Sequence, residues 1–255
     1  VAASQDTLEI RLRHLETFDE FREAVKLQRE IWGFEDIELL PVRLFLVAKK
    51  VGGQTIGAFE GGRMVGFLLA IPGLKGGTQT YLHSHMTGVA EGYRNRGVGA
   101  MLKLEQRREA LARGISLVEW TFDPLELANA HFNIERLGAV VRRYVLNQYG
   151  TTTSRLHGGL PTDRCVAEWR LNSARVAALL GGAPRPKPHP VARLPVPAGI
   201  AALRAADPKR CAGIQKGVSE NFLEYCDRGL VVTGFERTAD SGVYLFSSWD
   251  SESME

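Results

Sequence analysis

One stretch constrains this chain more than any other: LHSHMTGVAEGYRNRGVGAMLKLEQRREAL, residues 82–111. An extended run ending near Val89 meets a basic, glycine-containing turn, and a helical run follows at once. A strand that passes into a helix through glycines brings the helix N-terminus to the end of a sheet. That terminus carries unpaired amides and a partial positive charge. Arg94 and Arg96 add guanidinium groups to it, so Arg94, Asn95, Arg96, Gly97, Val98 and Gly99 form a candidate cradle for phosphate or diphosphate. The competing reading is a tight surface turn with solvent-facing arginines. The triphosphatase loop G-x-x-x-x-G-K-[ST] and the dinucleotide pattern G-x-G-x-x-G are both absent, and the turn follows the fourth strand-like run rather than the first.

The rest of the chain supplies the elements around this turn. EIRLRHL alternates as a strand. Phe21, Val25, Leu27 and Ile31 have helical spacing, and Gly33 should stop that helix. A second short helix starts at Pro41. Two apolar strands flank Glu60-Gly61-Gly62 as a hairpin, and the strand with the histidines comes next. In the helix after the turn, Met101, Leu104 and Leu111 suggest the buried stripe. Strand ISLVEWTF, a short helix stopped by Gly138, and strands AVVRRYVLNQYG and RCVAEWRL complete this part. The segment APRPKPHPVARLPVP holds six prolines and reads as a stiff connector that opposes a helix or a central strand. Beyond it come a helical region interrupted near Pro208 and a closing hairpin.

Composition narrows the class. Apolar residues at 44 % and charged residues at 24 % of 255 suit a globular chain with a real core. A formal charge of +3 gives no concentrated basic stripe, which argues against nucleic acid as a partner. No apolar run approaches a membrane span and no secretory leader is evident, so a cytoplasmic location without a membrane partner is expected. Cys165, Cys211 and Cys226 are odd in number and far apart, which disfavours a disulfide framework or a zinc knuckle.

His83 and His85 stand two apart on the strand before the turn. Strict alternation puts them on one side with Tyr81, Thr87 and Val89, and puts Leu82, Ser84, Met86 and Gly88 on the other. An imidazole near neutral pH can take a proton from an amine. The competing reading is a packed, hydrogen-bonded pair. Zinc is disfavoured because no third ligand has motif-like spacing.

The stretch VAEGYRNRGVGAMLKLE resembles the acyl-coenzyme-binding motif of the GNAT superfamily of N-acetyltransferases: Arg94, Gly97 and Gly99 match its arginine-x-x-glycine-x-glycine core. Downstream, NAHFNIERLGA resembles the family's second cofactor region, with Asn129 at its asparagine and Leu137-Gly138-Ala139 at its end. The resemblance covers residues 8 to 170. It implies an α/β (α+β) fold with a central, mixed but mostly antiparallel sheet flanked by helices. It implies an acyltransferase that uses acetyl-coenzyme A or another acyl-coenzyme A. The turn and the backbone at Thr87 and Val89 would hold the coenzyme. The His-x-His pair is similar to that of arylalkylamine acetyltransferases, where it relays protons; His85 matches the nearer histidine. A tyrosine that many members carry four residues before the glycine is replaced here by Ile134, with Tyr144 and Tyr149 as substitutes outside the motif.

Other polar residues suggest the acceptor side. Asp123 can anchor an ammonium or orient His85, or simply make an Asp-Pro turn. Trp120, Glu126, Arg155 and Arg164 are candidate substrate contacts, with the arginines suited to a carboxylate on the acceptor or on a succinyl donor. The expected organisation is an acyltransferase domain over 8–180, a proline-rich connector over 181–198, and a C-terminal helix and hairpin extension over 199–250 packed on the main domain. The acceptor is expected to be a small amine or amino acid, with protein lysines and N-termini as alternatives and a homodimer left open. A non-catalytic acyl-coenzyme-A-binding module and an amino-acid N-succinyltransferase are the rival functions.

Overall fold

The computed structural model describes residues 9–150, 158–183 and 189–249. The chain divides into two compact units, Val1–Ile115 and Ser116–Glu255.

The first unit runs β1 (Ile10–His14), α1 (Phe18–Trp32), a 3-10 turn (Asp36–Glu38), α2 (Val42–Lys50), β2 (Gln54–Glu60), β3 (Arg63–Lys75), β4 (Gln79–Val89), a second 3-10 turn (Glu91–Tyr93) and α3 (Val98–Ala112). Its strands are antiparallel in the order β1-β2-β3-β4. Thr17 starts α1 through a capping box with Glu20, and Gly33 ends it in the left-handed conformation. The apolar faces of α1 and α2 close one side of the sheet around Phe21, Leu27, Phe45, Phe67 and Leu69. Trp32 lies edge-on to Phe67 with ring centroids 6.1 Å apart. Gly88 makes that closure possible, because a Cβ there would stand 2.7 Å from both Ile31 and Trp32.

The α3 stripe is not the expected one. Leu104 is exposed, Met101 and Leu111 are only partly buried, and the buried face carries Val98, Leu102, Lys103, Gln106 and Ala110. Two of these five side chains are polar, so apolar spacing could not mark the inward face.

The second unit runs β5 (Leu117–Phe122), α4 (Leu127–His131), a π-helical turn (Phe132–Arg136), β6 (Val140–Val145), β7 (Arg164–Arg170), α5 (Ala174–Leu180), β8 (Ala192–Pro197), α6 (Ile200–Ala206), α7 (Pro208–Asp227), β9 (Leu230–Arg237) and β10 (Ser241–Ser248). Its strands lie in the order β5-β7-β6-β9-β10-β8, antiparallel throughout. Residues 192–197 of the proline-rich segment form β8 at the end of this order, where a residue without an amide hydrogen costs the ladder least. Phe222 of α7 stacks on Tyr144 of β6, with centroids 4.7 Å apart, and meets Tyr244 and Phe246 of β10 edge-on. The C-terminal helix and hairpin therefore share one core with β6.

Cys165 and Cys211 are buried and Cys226 is half-buried, all as free thiols. Among the described residues, no helix is long and apolar enough to cross a membrane.

Candidate active site

β4 carries the histidines, but its alternation is broken. Met86 pairs with Leu69 while Ser84 pairs with Ala70, which leaves His85 as the extra residue of a β-bulge. The bulge moves every later side chain to the opposite face. Before it, Ser84 points toward α3, where Lys103 bonds its hydroxyl. After it, Met86 packs in the α1–α2 core and Gly88 lies under Ile31 and Trp32. Val89, by contrast, lies close to Gly99 of α3. His83 and His85 keep to one side, with ring centroids 5.7 Å apart. The shared face expected for the histidines, Thr87 and Val89 is thus corrected: the imidazoles are on the α1–α2 side and Thr87 and Val89 on the α3 side. Burial lowers the pKa of His85 below the ordinary imidazole value, and the neighbouring His83 lowers it further.

The turn after β4 is built as an open anion cradle. Asn95 and Gly97 both have positive φ, 61° and 84°. Gly97 is the N-cap of α3, and no side chain among the described residues caps that helix end. A Cβ at Gly97 would touch nothing, so backbone conformation rather than space selects glycine there. Arg94, Asn95, Arg96 and Gly97 are exposed, while Val98 is buried and roots the helix. Arg96 is drawn toward Glu60 at 3.2 Å and lies over the Tyr93 ring, and Tyr93 donates its hydroxyl hydrogen bond to the same carboxylate. Uncapped amides at a helix N-terminus, with two guanidiniums alongside, suit the diphosphate of an acyl-coenzyme A.

In the second unit, Asp123 and Glu126 are brought together by a guanidinium that the sequence did not point to. Arg204 of α6 donates to Asp123 Oδ2 and to Glu126 Oε1, both at 3.0 Å. Asp123 also accepts the Leu125 amide at 2.8 Å, closing the turn after β5. Burial and the nearby Asp123 charge raise the Glu126 carboxyl, against the opposing pull of Arg204. Arg164 is buried, donates to the Asp163 carbonyl at 2.9 Å and stands 5.4 Å from the centre of the Tyr149 ring. Trp120 is buried edge-on against Trp169, in the core of the sheet. Asn129 is exposed on α4. Arg155 lies outside the described residues.

The two substitute tyrosines separate clearly. Tyr144 is buried, its hydroxyl sits 2.9 Å from Ser219 Oγ, and burial pushes its pKa far up. Tyr149 is 45 % exposed and its hydroxyl pairs with Thr121 at 2.9 Å. Ile134 is fully buried in the π-helical turn.

Residues 13–139 match the acetyltransferase (GNAT) family. No curated protein sequence matches the chain. The fold is similar to that of the ribosomal-protein-S18-alanine N-acetyltransferase from Escherichia coli, at 16 % identity and a TM-score of 0.52 over 64 % of this chain and 94 % of that one. It is also similar to NAA60 of Arabidopsis thaliana, solved in complex with acetyl-CoA, at 15 % identity and a TM-score of 0.52 over 64 % of this chain and 99 % of that one. At such identities the likeness is one of fold.

Proposed function

Because residues 13–139 belong to the acetyltransferase (GNAT) family, this chain is an acyltransferase that draws on acyl-coenzyme A, and we propose that it transfers an acetyl group to the nitrogen of an amine by direct attack. The observation that carries this reading is the uncapped, glycine-led N-terminus of α3 at the end of β4. Acyl-coenzyme A supplies an acyl group activated as a thioester. The amides of residues 97–99, with Arg94 and Arg96, hold the diphosphate. Thr87 and Val89 line the β4 backbone leading to that turn.

His85 is the base. Its depressed pKa leaves the imidazole neutral at pH 7, ready to take the proton that the acceptor nitrogen must lose. His83, 5.7 Å away between ring centroids, passes that proton on. The acceptor in this reading is a small amine or amino acid. No cysteine stands ready as a nucleophile: burial raises Cys165, Cys211 and Cys226 alike.

Calorimetry with acetyl-, succinyl- and free coenzyme A, followed by an amine panel assayed for thiol release, tests the proposal. Gly97→Val should weaken coenzyme A binding by at least about tenfold, because a β-branched residue resists positive φ. Equal affinity in a folded variant would remove the cradle from the mechanism. A second reading, a coenzyme-binding module without chemistry, is favoured by one observation: Ile134 is buried where the family often has its tyrosine, and the Tyr144 hydroxyl is already engaged. It predicts coenzyme binding with no thiol release from any amine.

A further inference from the structure

Lys103 lies in the second turn of α3 and is 3 % exposed. Its Nζ donates to Ser84 Oγ at 2.9 Å and to Gln106 Oε1 at 3.0 Å. The chain of contacts continues outward. Gln106 Nε2 donates to Gln54 Oε1 at 3.2 Å, and Gln54 Nε2 donates to the Gln106 carbonyl and to Glu109 Oε2, both at 3.1 Å. Glu109 Oε1 is 2.8 Å from His14 Nε2 at the half-exposed end. Six side chains from β1, β2, β4 and α3 are thereby joined.

An amine in this place is costly. Burial pulls its pKa down to about 7, and a methionine would fill similar space without a group to desolvate. What the amine does that methionine would not is hold Ser84 on β4, together with Gln106 on its own helix. Ser84 immediately precedes His85, the extra residue of the β4 bulge. That bulge decides which side chains face α1 and α2 and which face α3. The helix that carries Lys103 is the one whose N-terminus forms the cradle. A single side chain therefore ties the bulge to the cradle helix, five residues after Val98.

We propose that Lys103 is a positioning residue: its amine pins Ser84 to α3 and so locks the β4 bulge that aims His85, a role that rests on the N-acyltransferase reading. The lock needs only N–H donors.

The test uses Lys103→Met, Ser84→Ala, Ser84→Thr and the Lys103→Met/Ser84→Ala double variant in the full chain. Lys103→Met and Ser84→Ala should each lower kcat about tenfold, the scale of a misaimed group, with coenzyme A affinity held within about twofold. The double variant should lose no more than Lys103→Met alone, since that change already removes the bond to Ser84. Ser84→Thr keeps the hydroxyl and should keep the rate. Nitrogen-15 spectra of the His85 imidazole should change in Lys103→Met and Ser84→Ala, and stay as wild type in Ser84→Thr. Folded Lys103→Met with wild-type kcat and an unmoved His85 signal would overturn the proposal, as would losses that add in the double variant. Should the wild type transfer no acyl group to any amine, the imidazole spectra alone decide: a moved signal supports the lock, and an unmoved one ends it. If Lys103→Met does not fold, the contrast between Ser84→Ala and Ser84→Thr carries the same decision.

Discussion

The proposed base, His85, is held toward its neutral form. Burial, then the His83 charge, depresses its pKa, so the folded chain binds that proton less tightly than the unfolded chain does. The sign follows. Above the free imidazole value of about 6.5 the group is neutral in both states and costs nothing. As pH falls from there through the lower folded value, protonation favours the unfolded chain and stability drops. The acidic limb of kcat/KM should accordingly have its midpoint below about 6.5, as a property of the coupled pair. His85→Ala should lower kcat by on the order of 10²-fold, leave coenzyme A affinity nearly unchanged and flatten that limb. A folded variant with a near-normal rate and the same profile would make the pair sheet packing. The residue types were legible in the sequence, because H-x-H on an extended run is visible by eye. Their surroundings were not. The bulge is a property of how β4 registers against β3, and a period of two read along one strand cannot reveal an extra residue in it.

At the scale of elements, local signals served where one element decides its own fate. The capping box of α1, the Gly61-Gly62 turn between β2 and β3, and Pro208 at the start of α7 all act within a few residues. They failed where a partner decides. The buried face of α3 carries two polar side chains, Lys103 and Gln106, because it meets Ser84 and Gln54, and β8 forms in a proline-rich run because β10 offers an edge. Arg204 is the sharpest case: it lies 81 residues from Asp123 in sequence, and no spacing announces it. Its guanidinium bonds both Asp123 and Glu126, and burial and the Asp123 charge raise the Glu126 carboxyl, so its removal should matter more than its place on a seven-residue helix suggests. Arg204→Leu should destabilise the chain by about 2–3 kcal/mol, below the usual cost of breaking a buried ion pair because Glu126 keeps access to water. The deficit should shrink as pH falls toward the carboxyl range, where Glu126 takes a proton and the like-charge repulsion ends. Urea unfolding at pH 7.5 and pH 5 measures both effects; a loss that is absent, or that grows toward acid, contradicts the assignment.

At the scale of the molecule, the structural neighbours account for nearly all of their own length but for 64 % of this one. The elements after residue 183 are not an ornament on the second unit. Tyr144 of β6 is covered by Phe222 of α7, which is held in turn by Tyr244 and Phe246 of β10, while Phe235 of β9 closes on Tyr244 at 4.9 Å. The Tyr144 hydroxyl bonds Ser219, and Ser219 donates to Asp163 at 2.6 Å, so the polar groups of β6 and of the loop before β7 also depend on α7. Burying one large apolar side chain is worth about 1.5–3 kcal/mol. Losing Phe222, Tyr244 and Phe246 together would therefore remove roughly 5–9 kcal/mol, against a total stability of about 5–15 kcal/mol for a typical domain. The cut would also leave the β6 edge unpaired, which invites association. A chain ending at residue 183 should consequently lose cooperative unfolding in the second unit and self-associate. In the full chain, amides of β9 and β10 should exchange as slowly as those of β6. Hydrogen exchange and a thermal melt of the shortened chain supply the measurements. A soluble truncated monomer that melts at the wild-type temperature, or fast exchange throughout Leu230–Arg237 and Ser241–Ser248 in the full chain, would show that β5, β6 and β7 hold their own core and that the C-terminal elements merely rest on it.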